Sequence, residues 1–218
     1  MRGVRSLAYH ARMSGFAGEI VSLFQRGGPV MWPLFALSVL SVAITIERLV
    51  FWLTTHTATR RRWLRSLTTH FASGDRASAS ALLAKDGSLY AGAGRALMEA
   101  PPRPTLAVEV AERYRPAMER FATMHATIIT AAPLLGILGT VLGIIDSFDL
   151  LGLSENVTDI SAVAAGIAQA LITTAFGLIV ALVTLFPHMF FRAHTDRGLS
   201  ELELLATAYA NGATGQPA

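Results

Sequence analysis

Residues 160–191 read ISAVAAGIAQALITTAFGLIVALVTLFPHMFF, thirty-two positions without one Asp, Glu, Lys or Arg. About 20 predominantly apolar residues suffice for a helix to cross the ~30 Å hydrocarbon core of a bilayer. Two more uncharged runs precede it, Gly27 to Ile46 and Phe121 to Ile145, of 20 and 25 residues. Three such runs exclude a soluble globule and a disordered chain, and they predict three membrane-spanning helices. The overall balance agrees. Of 218 residues only 15% are charged and 52% are hydrophobic, whereas a soluble domain carries about 25% charged residues. The mean hydropathy is +0.47.

The rare residues exclude chemistry. Cysteine is absent, which removes disulfides, thiolate metal sites and thiol nucleophiles. Lys85 is the single lysine and no glycine-rich loop precedes it, so no Walker A phosphate loop exists. The six histidines are scattered without ligand spacing, and no HExxH or GxSxG occurs. The expectation is therefore no enzyme, no metal and no cofactor. The pI near 9.8 does not indicate nucleic acid, because the cations flank the apolar runs, where membrane topology places them.

Charge then sets direction. Thr54 to Arg120 holds eleven Lys and Arg against six acids, and the link between the last two runs holds only Asp146, Asp149, Glu155 and Asp159. Cytoplasmic loops collect cations, so the long loop is predicted inside, the acidic link outside, the N-terminus periplasmic and the C-terminus cytoplasmic. Arg2, Arg5, Arg12 and Arg26 against Glu19 alone oppose this reading, and the cluster Arg60, Arg61, Arg62 and Arg65 outweighs them. No cleavable signal peptide is visible.

The predicted layout is an N-terminal amphipathic segment at 1–28, spans at 29–54, 122–150 and 160–191, a cytoplasmic helical loop at 55–121, a periplasmic link at 151–159 and a cytoplasmic tail at 192–218. In the first segment Phe16, Ile20, Leu23 and Phe24 recur at helical spacing, which suits a helix on the membrane surface or one packed on the protein. From Thr105 the pattern turns helical and continues into span two; residues 105–150 as one helix would reach ~69 Å. Span three from about Asp159 to Ala193 would reach ~50 Å. Both lengths exceed the bilayer, so helices two and three are predicted to project into the cytoplasm. Glu47 and Arg48 interrupt the inner end of span one, either as an interface anchor that reaches to water or as a pair across subunits.

Faces carry the functional reading. In span two, Gly136, Thr140, Gly143 and Ser147 share one side; Gly139 lies nearby. In span three, Ala162, Gly166, Ala170, Thr174, Gly177 and Ala181 share another, with Gln169 and Thr173 beside it. Small residues let helix backbones approach closely in lipid. One reading is helix packing alone, each threonine bonding its own backbone one turn earlier. The other is a polar-lined cavity, because a mid-membrane amide such as Gln169 needs partners.

These residues resemble a known family. Gly27-Gly28-Pro29-Val30-Met31-Trp32-Pro33-Leu34, followed by Glu47-Arg48-Leu49, resembles the first span of ExbB. Ala132-Pro133-Leu134-Leu135-Gly136 through Gly139-Thr140-Val141 and Gly143 to Phe148 resembles the second-span motif of the MotA/TolQ/ExbB proton-channel family. Gly166-Ile167-Ala168-Gln169-Ala170-Leu171 with Thr173-Thr174-Ala175-Phe176-Gly177-Leu178 resembles its third. The three-span layout fits the ExbB and TolQ branch. The resemblance implies an all-α membrane protein that forms a homo-oligomeric ring of about five copies, a pentamer. The ring would surround a dimer of single-span partners of the ExbD or TolR type, in a bacterial inner membrane. It implies proton passage past Thr140 and Thr174, a carboxylate supplied by the partner, and coupling to a TonB-like or TolA-like protein for import or envelope maintenance.

Two departures qualify what carries over. Gln169 stands where the motif often has Glu, and an amide cannot release a proton, so if protons pass the acid must come from the partner, or the branch has a different ion or mechanism. Pro187-His188 stands where the pattern often has Tyr-Asn. The predicted proton pathway is Thr140, Thr173, Thr174 and Gln169. The predicted packing glycines are Gly136, Gly139, Gly143, Gly166 and Gly177, a face also expected to admit the partner's helix. Asp146 and Asp149 at the outer mouth either concentrate cations or only set topology, and Glu47 with Arg48 marks the inner interface. The runner-up is a non-conducting scaffold of the same fold, which Gln169 favours.

Overall fold

The computed structural model describes residues 24, 27–55, 58–103, 105–152 and 160–214. Most of the predicted N-terminal amphipathic segment and residues 153–159 of the predicted outer link lie outside the described residues. Every described element is an α-helix: α1 Met31–Thr55, α2 Ala58–Ala72, α3 Arg76–Ala84, α4 Leu89–Glu99, α5 Leu106–Met118, α6 Ala122–Gly152 and α7 Ile160–Thr214. Of these, α1, α6 and α7 are long and apolar enough to cross a membrane. The chain divides into two compact units, Met1–Ala43 with Met124–Phe186, and Ile44–Thr123 with Pro187–Ala218.

The first unit joins parts of the three spanning helices. Val30, Leu34, Ile128, Ala132, Val180 and Ala181 form its buried core. Contacts fix the directions. Gly27 meets Thr173 and Ser41 meets Thr184, so α1 runs parallel to α7. Gly177 approaches Ala132 and Gly166 approaches Ser147, so α6 runs antiparallel to it. Three successive crossings require this alternation. The outward sides carry Leu134, Ile137, Val141, Leu171, Leu182 and Phe186, all exposed, as lipid or a neighbouring apolar helix demands. The start of α1 follows from sequence. Pro33 sits in the first turn, where a missing N–H costs nothing, and the Met31 N–H donates to the Gly28 carbonyl at 3.2 Å.

The second unit is a small helical bundle. The acceptor of Asp75 caps α3 through the Ser78 N–H, and Ser88 caps α4 through the Ala91 N–H, each satisfying a donor that a helix start leaves open. Leu67, Leu83, Tyr90, Leu97, Met118, Leu202, Leu205 and Tyr209 are fully buried in its core.

Two expectations change. The helix predicted over residues 105–150 is broken between Met118 and Ala122, where Phe121 adopts φ 65°. The cause is Arg48. Its guanidinium donates to the Ala117 and Met118 carbonyls, both at 3.3 Å. Those are the acceptors that residues 121 and 122 would use in a continuous helix. The Ala122 N–H donates to the Glu119 carbonyl instead. The third helix also does not end near residue 193. Beyond it Leu199, Leu202, Leu205, Ala206 and Tyr209 bury one face in the bundle, which extends α7 to Thr214. At 55 residues it has nearly three times the ~20 that a crossing needs.

Candidate functional site

The site is the contact between α6 and α7 in the first unit. Gly136 allows it. A Cβ there would stand 3.0 Å from the Thr174 Cα and 3.2 Å from the Thr173 carbonyl oxygen. At Gly143 a Cβ would meet the Ala170 Cβ at 2.9 Å, and at Gly177 it would meet the Ala132 carbonyl oxygen at 2.5 Å. At Gly139 and Gly166 it would strike the Thr173 and Ser147 side chains. The five glycines thus face the chain's own neighbouring helix.

That close approach gathers hydroxyls. The Thr174 Oγ1 donates across the helix pair to the Gly136 carbonyl at 2.8 Å, and the Thr140 Oγ1 donates to the same carbonyl at 3.1 Å. The two hydroxyls also touch each other. Two hydroxyl protons and one carbonyl with two lone pairs leave unused acceptor capacity on the threonine oxygens. Both threonines are half-buried. A hydroxyl orders water and accepts from a passing donor, and it does not ionise near neutrality, so any proton that moves here must be carried by water or by an acid from another chain.

Thr173 and Gln169 belong to a second cluster. Successive helical residues point about 100° apart, and Thr173 turns away from Thr174. It is 1% exposed and its hydroxyl lies 2.7 Å from the Gly27 carbonyl and 3.0 Å from the Gln169 carbonyl. The Gln169 amide lies against Gly28, whose φ of +72° is the left-handed backbone that favours glycine. Non-helical backbone at membrane depth is tolerated where protein covers it, and Thr173 with Gln169 provides that cover for the turn before α1. Of four residues predicted to line one path, two meet at the Gly136 carbonyl and two seat this turn.

The remaining predicted residues lie elsewhere. Asp146 and Asp149 are exposed near the end of α6. Arg48 is 3% exposed and pairs within its own chain, its Nε 2.6 Å from the Glu47 carboxylate, with its guanidinium 4.4 Å from the Phe51 ring centroid. Its partner Glu47 is 41% exposed. Sequence reasoning missed the buried Ser41–Thr184 hydroxyl pair at 2.7 Å, whose Thr184 also donates to the Val180 carbonyl. Two lone hydroxyls 143 positions apart gave no signal. Ser147, buried and bonded to the Gly143 carbonyl at 2.7 Å, was visible only as the end of a small-residue face.

Comparison with known proteins gives the following. Residues 101–204 match the MotA/TolQ/ExbB proton channel family. The biopolymer transport protein ExbB-like 3 of Synechocystis sp. is 36% identical over 176 residues, covering 77% of this chain and 82% of that protein. ExbB-like 1 of the same organism is 33% identical over 173 residues, 77% and 68% of the two chains. The biopolymer transport protein exbB1 of Vibrio cholerae is 28% identical over 203 residues, 85% and 84% of the two chains.

Proposed function

The chain belongs to the MotA/TolQ/ExbB proton channel family, ExbB branch, and we propose that it is the channel subunit of a motor complex driven by the proton-motive force. It is a multi-pass membrane protein, and its role is transport rather than catalysis. In this reading it sits in a bacterial inner membrane with its N-terminus periplasmic and its C-terminus cytoplasmic. Copies form a ring, a pentamer by family resemblance, around a single-span dimer of the ExbD or TolR type. Proton passage then drives a TonB-like or TolA-like protein in import or envelope maintenance.

The observation that carries the reading is the Thr140–Thr174–Gly136 cluster. Three polar groups meet between two apolar spans, with acceptor capacity left for water or for a protonated carboxyl. Ser41 with Thr184 and Thr173 with Gly27 are buried pairs, whereas this one is half-buried. The required acid comes from the partner, because Gln169 offers none. The proton leaves that carboxyl, passes through water held by the hydroxyls, and the carboxylate is reprotonated from the other side.

A second reading has its own support. The placement of Thr173 and Gln169 against the Gly27–Gly28 turn gives half of the predicted path a packing role, as a non-conducting scaffold would. Native mass spectrometry of the detergent-extracted chain with copurifying proteins tests both readings in part. A ring holding a small single-span protein with a membrane carboxylate is expected. A monomer, or a ring with no acid-bearing partner, contradicts the channel assignment.

A further inference from the structure

Two arginines share one carboxylate where the apolar runs end. The Arg48 Nε donates to the Glu47 Oε2 at 2.6 Å, and the Arg48 Nη2 donates to the Oε1 at 3.0 Å. One guanidinium thus takes both oxygens in forked geometry. The second, Arg120, approaches the same carboxylate only to 3.8 Å, beyond hydrogen-bond length. The neighbouring acid offers no alternative, because Glu119 pairs with Arg115 at 3.0 Å. Glu47, Arg48 and Arg120 therefore carry one positive charge in excess, and it rests on Arg120. That side chain is 62% exposed and donates no hydrogen bond among the described residues. Its guanidinium lies 4.7 Å from the Phe121 ring centroid.

These groups stand at the edge of the hydrocarbon. The uncharged runs end at Ile46 and Phe191, and one begins at Phe121. Contacts bring the three boundaries to one level. Arg48 donates to the Met118 carbonyl, and the Thr195 hydroxyl bonds the same carbonyl at 3.4 Å. Met118 and Thr195 lie within about one helical turn of Phe121 and Phe191. On α1, Ile46, Leu49, Val50 and Leu53 are exposed to either side of Glu47. The apolar surface continues past the charged pair, so lipid faces it. A guanidinium at this depth takes a partner. An anion that reaches Arg120 across an aliphatic surface arrives on an apolar body, as a phospholipid does. A phosphodiester fits the open guanidinium fork. A zwitterionic headgroup brings its own cation, which competes with Arg120, and an anionic headgroup does not.

We propose that Arg120 is the headgroup site of one anionic phospholipid, with its phosphate on the guanidinium and its acyl chains against α1 at Ile46. All of these groups belong to the second unit. The inference depends neither on proton conduction nor on which side of the membrane the bundle faces.

The test uses the full-length protein in detergent micelles, stripped of lipid. It is titrated with phosphatidylglycerol or with phosphatidylcholine of the same acyl chains, and native mass spectrometry counts the lipids bound per protomer. The first phosphatidylglycerol should bind about fivefold more tightly than phosphatidylcholine, the worth of one basic residue at an anionic surface. Arg120→Gln should abolish that preference and leave phosphatidylcholine binding unchanged, and Arg120→Lys, which keeps the charge without the fork, should fall between. Arg113→Gln removes an exposed cation about 10 Å earlier along the chain, a Debye length away, and should bind as the wild type does. The Arg120 side chain is exposed and not hydrogen-bonded, so its variants keep the fold, which circular dichroism verifies. Inorganic phosphate and glycerol 3-phosphate in large excess should not displace the lipid, which separates a membrane lipid from a free phosphate as the source. Phosphatidylglycerol carrying a photoreactive group beside its headgroup should label the residues flanking Glu47 or Arg120. Equal preference in wild type and Arg120→Gln, the same loss in Arg113→Gln, displacement by free phosphate, or labelling elsewhere overturns the proposal.

Discussion

Replacing Gly177 by alanine should destabilise the spanning unit, and the structure fixes both the size and the ranking. A Cβ at Gly177 would stand 2.5 Å from the Ala132 carbonyl oxygen, 3.1 Å from the Gly136 Cα and 3.3 Å from the Ala132 carbonyl carbon. Carbon and oxygen rest at about 3.3–3.6 Å, so the helices must separate by about 1 Å. All three obstacles are backbone, and no side chain can rotate away. Such overpacking costs about 1–3 kcal/mol. Alanine's better helix propensity offsets up to about 1 kcal/mol of that, leaving a net loss of up to about 2 kcal/mol at full offset. Two further glycines calibrate the measurement. At Gly143 the nearest obstacle is the Ala170 Cβ at 2.9 Å, and at Gly87 nothing lies within 4 Å. Gly143→Ala should fall between, and Gly87→Ala should stay within about 0.5 kcal/mol of wild type. Unfolding in mixed micelles with increasing SDS fraction, followed by circular dichroism, gives the order. If Gly177→Ala unfolds at the wild-type midpoint, or later than Gly143→Ala, the helices do not approach as described.

Other consequences are independent of that interface. Arg48→Met should cost about 1–3 kcal/mol by leaving the Ala117 carbonyl unpartnered, with the Met118 carbonyl keeping only the Thr195 hydroxyl and Glu47, 41% exposed, keeping only Arg120. Arg48→Lys should fall between, and equal stability of all three by denaturant titration would remove Arg48 as the cause of the helix break. Asp86 gives a pH signature. Burial raises its carboxyl, but the Ser88 N–H and hydroxyl and the Arg60 guanidinium outweigh burial and hold it below the usual carboxylate value. A lowered folded-state value means that the unfolded chain takes up the proton first as pH falls. The stabilisation is therefore fully present above about pH 5, begins to fall near the unfolded value of about 3.9, and is lost as pH drops through the lower folded-state value. The stability gap between wild type and Asp86→Asn should shrink across that window, and a gap constant down to pH 3 would contradict the assignment.

How far the sequence reached depends on the range of the determinant. The three spans were legible because hydrocarbon imposes a length and an absence of charge on each segment by itself. The pairing of Thr140 with Thr174 was approachable because each lies on a small-residue face set by 3.6-residue periodicity. The break before α6 was not legible. The carbonyls it exposes are bonded by Arg48, about seventy positions away, a contact that local sequence does not announce. The contact of Gln169 with Gly28 was not legible for the same reason, since Gly28 lies 141 positions earlier. The extension of α7 to Thr214 was a different failure. Leu199, Leu202, Leu205 and Tyr209 carry the helical spacing openly, and the charges that follow Phe191 drew the boundary too early.

The central claim is that protons pass the paired threonines. The direct measurement is proton uptake, reported by an internal pH dye, in proteoliposomes holding the ring with its copurified single-span partner under an imposed potential. Thr140→Val with Thr174→Val removes both hydroxyls at nearly constant volume, and Thr140→Ser with Thr174→Ser restores them. The account predicts flux in the wild type, at least a tenfold loss in the valine pair and recovery in the serine pair, with the ring intact in each. Undiminished flux in the valine pair, or no flux in the wild-type complex, would contradict it.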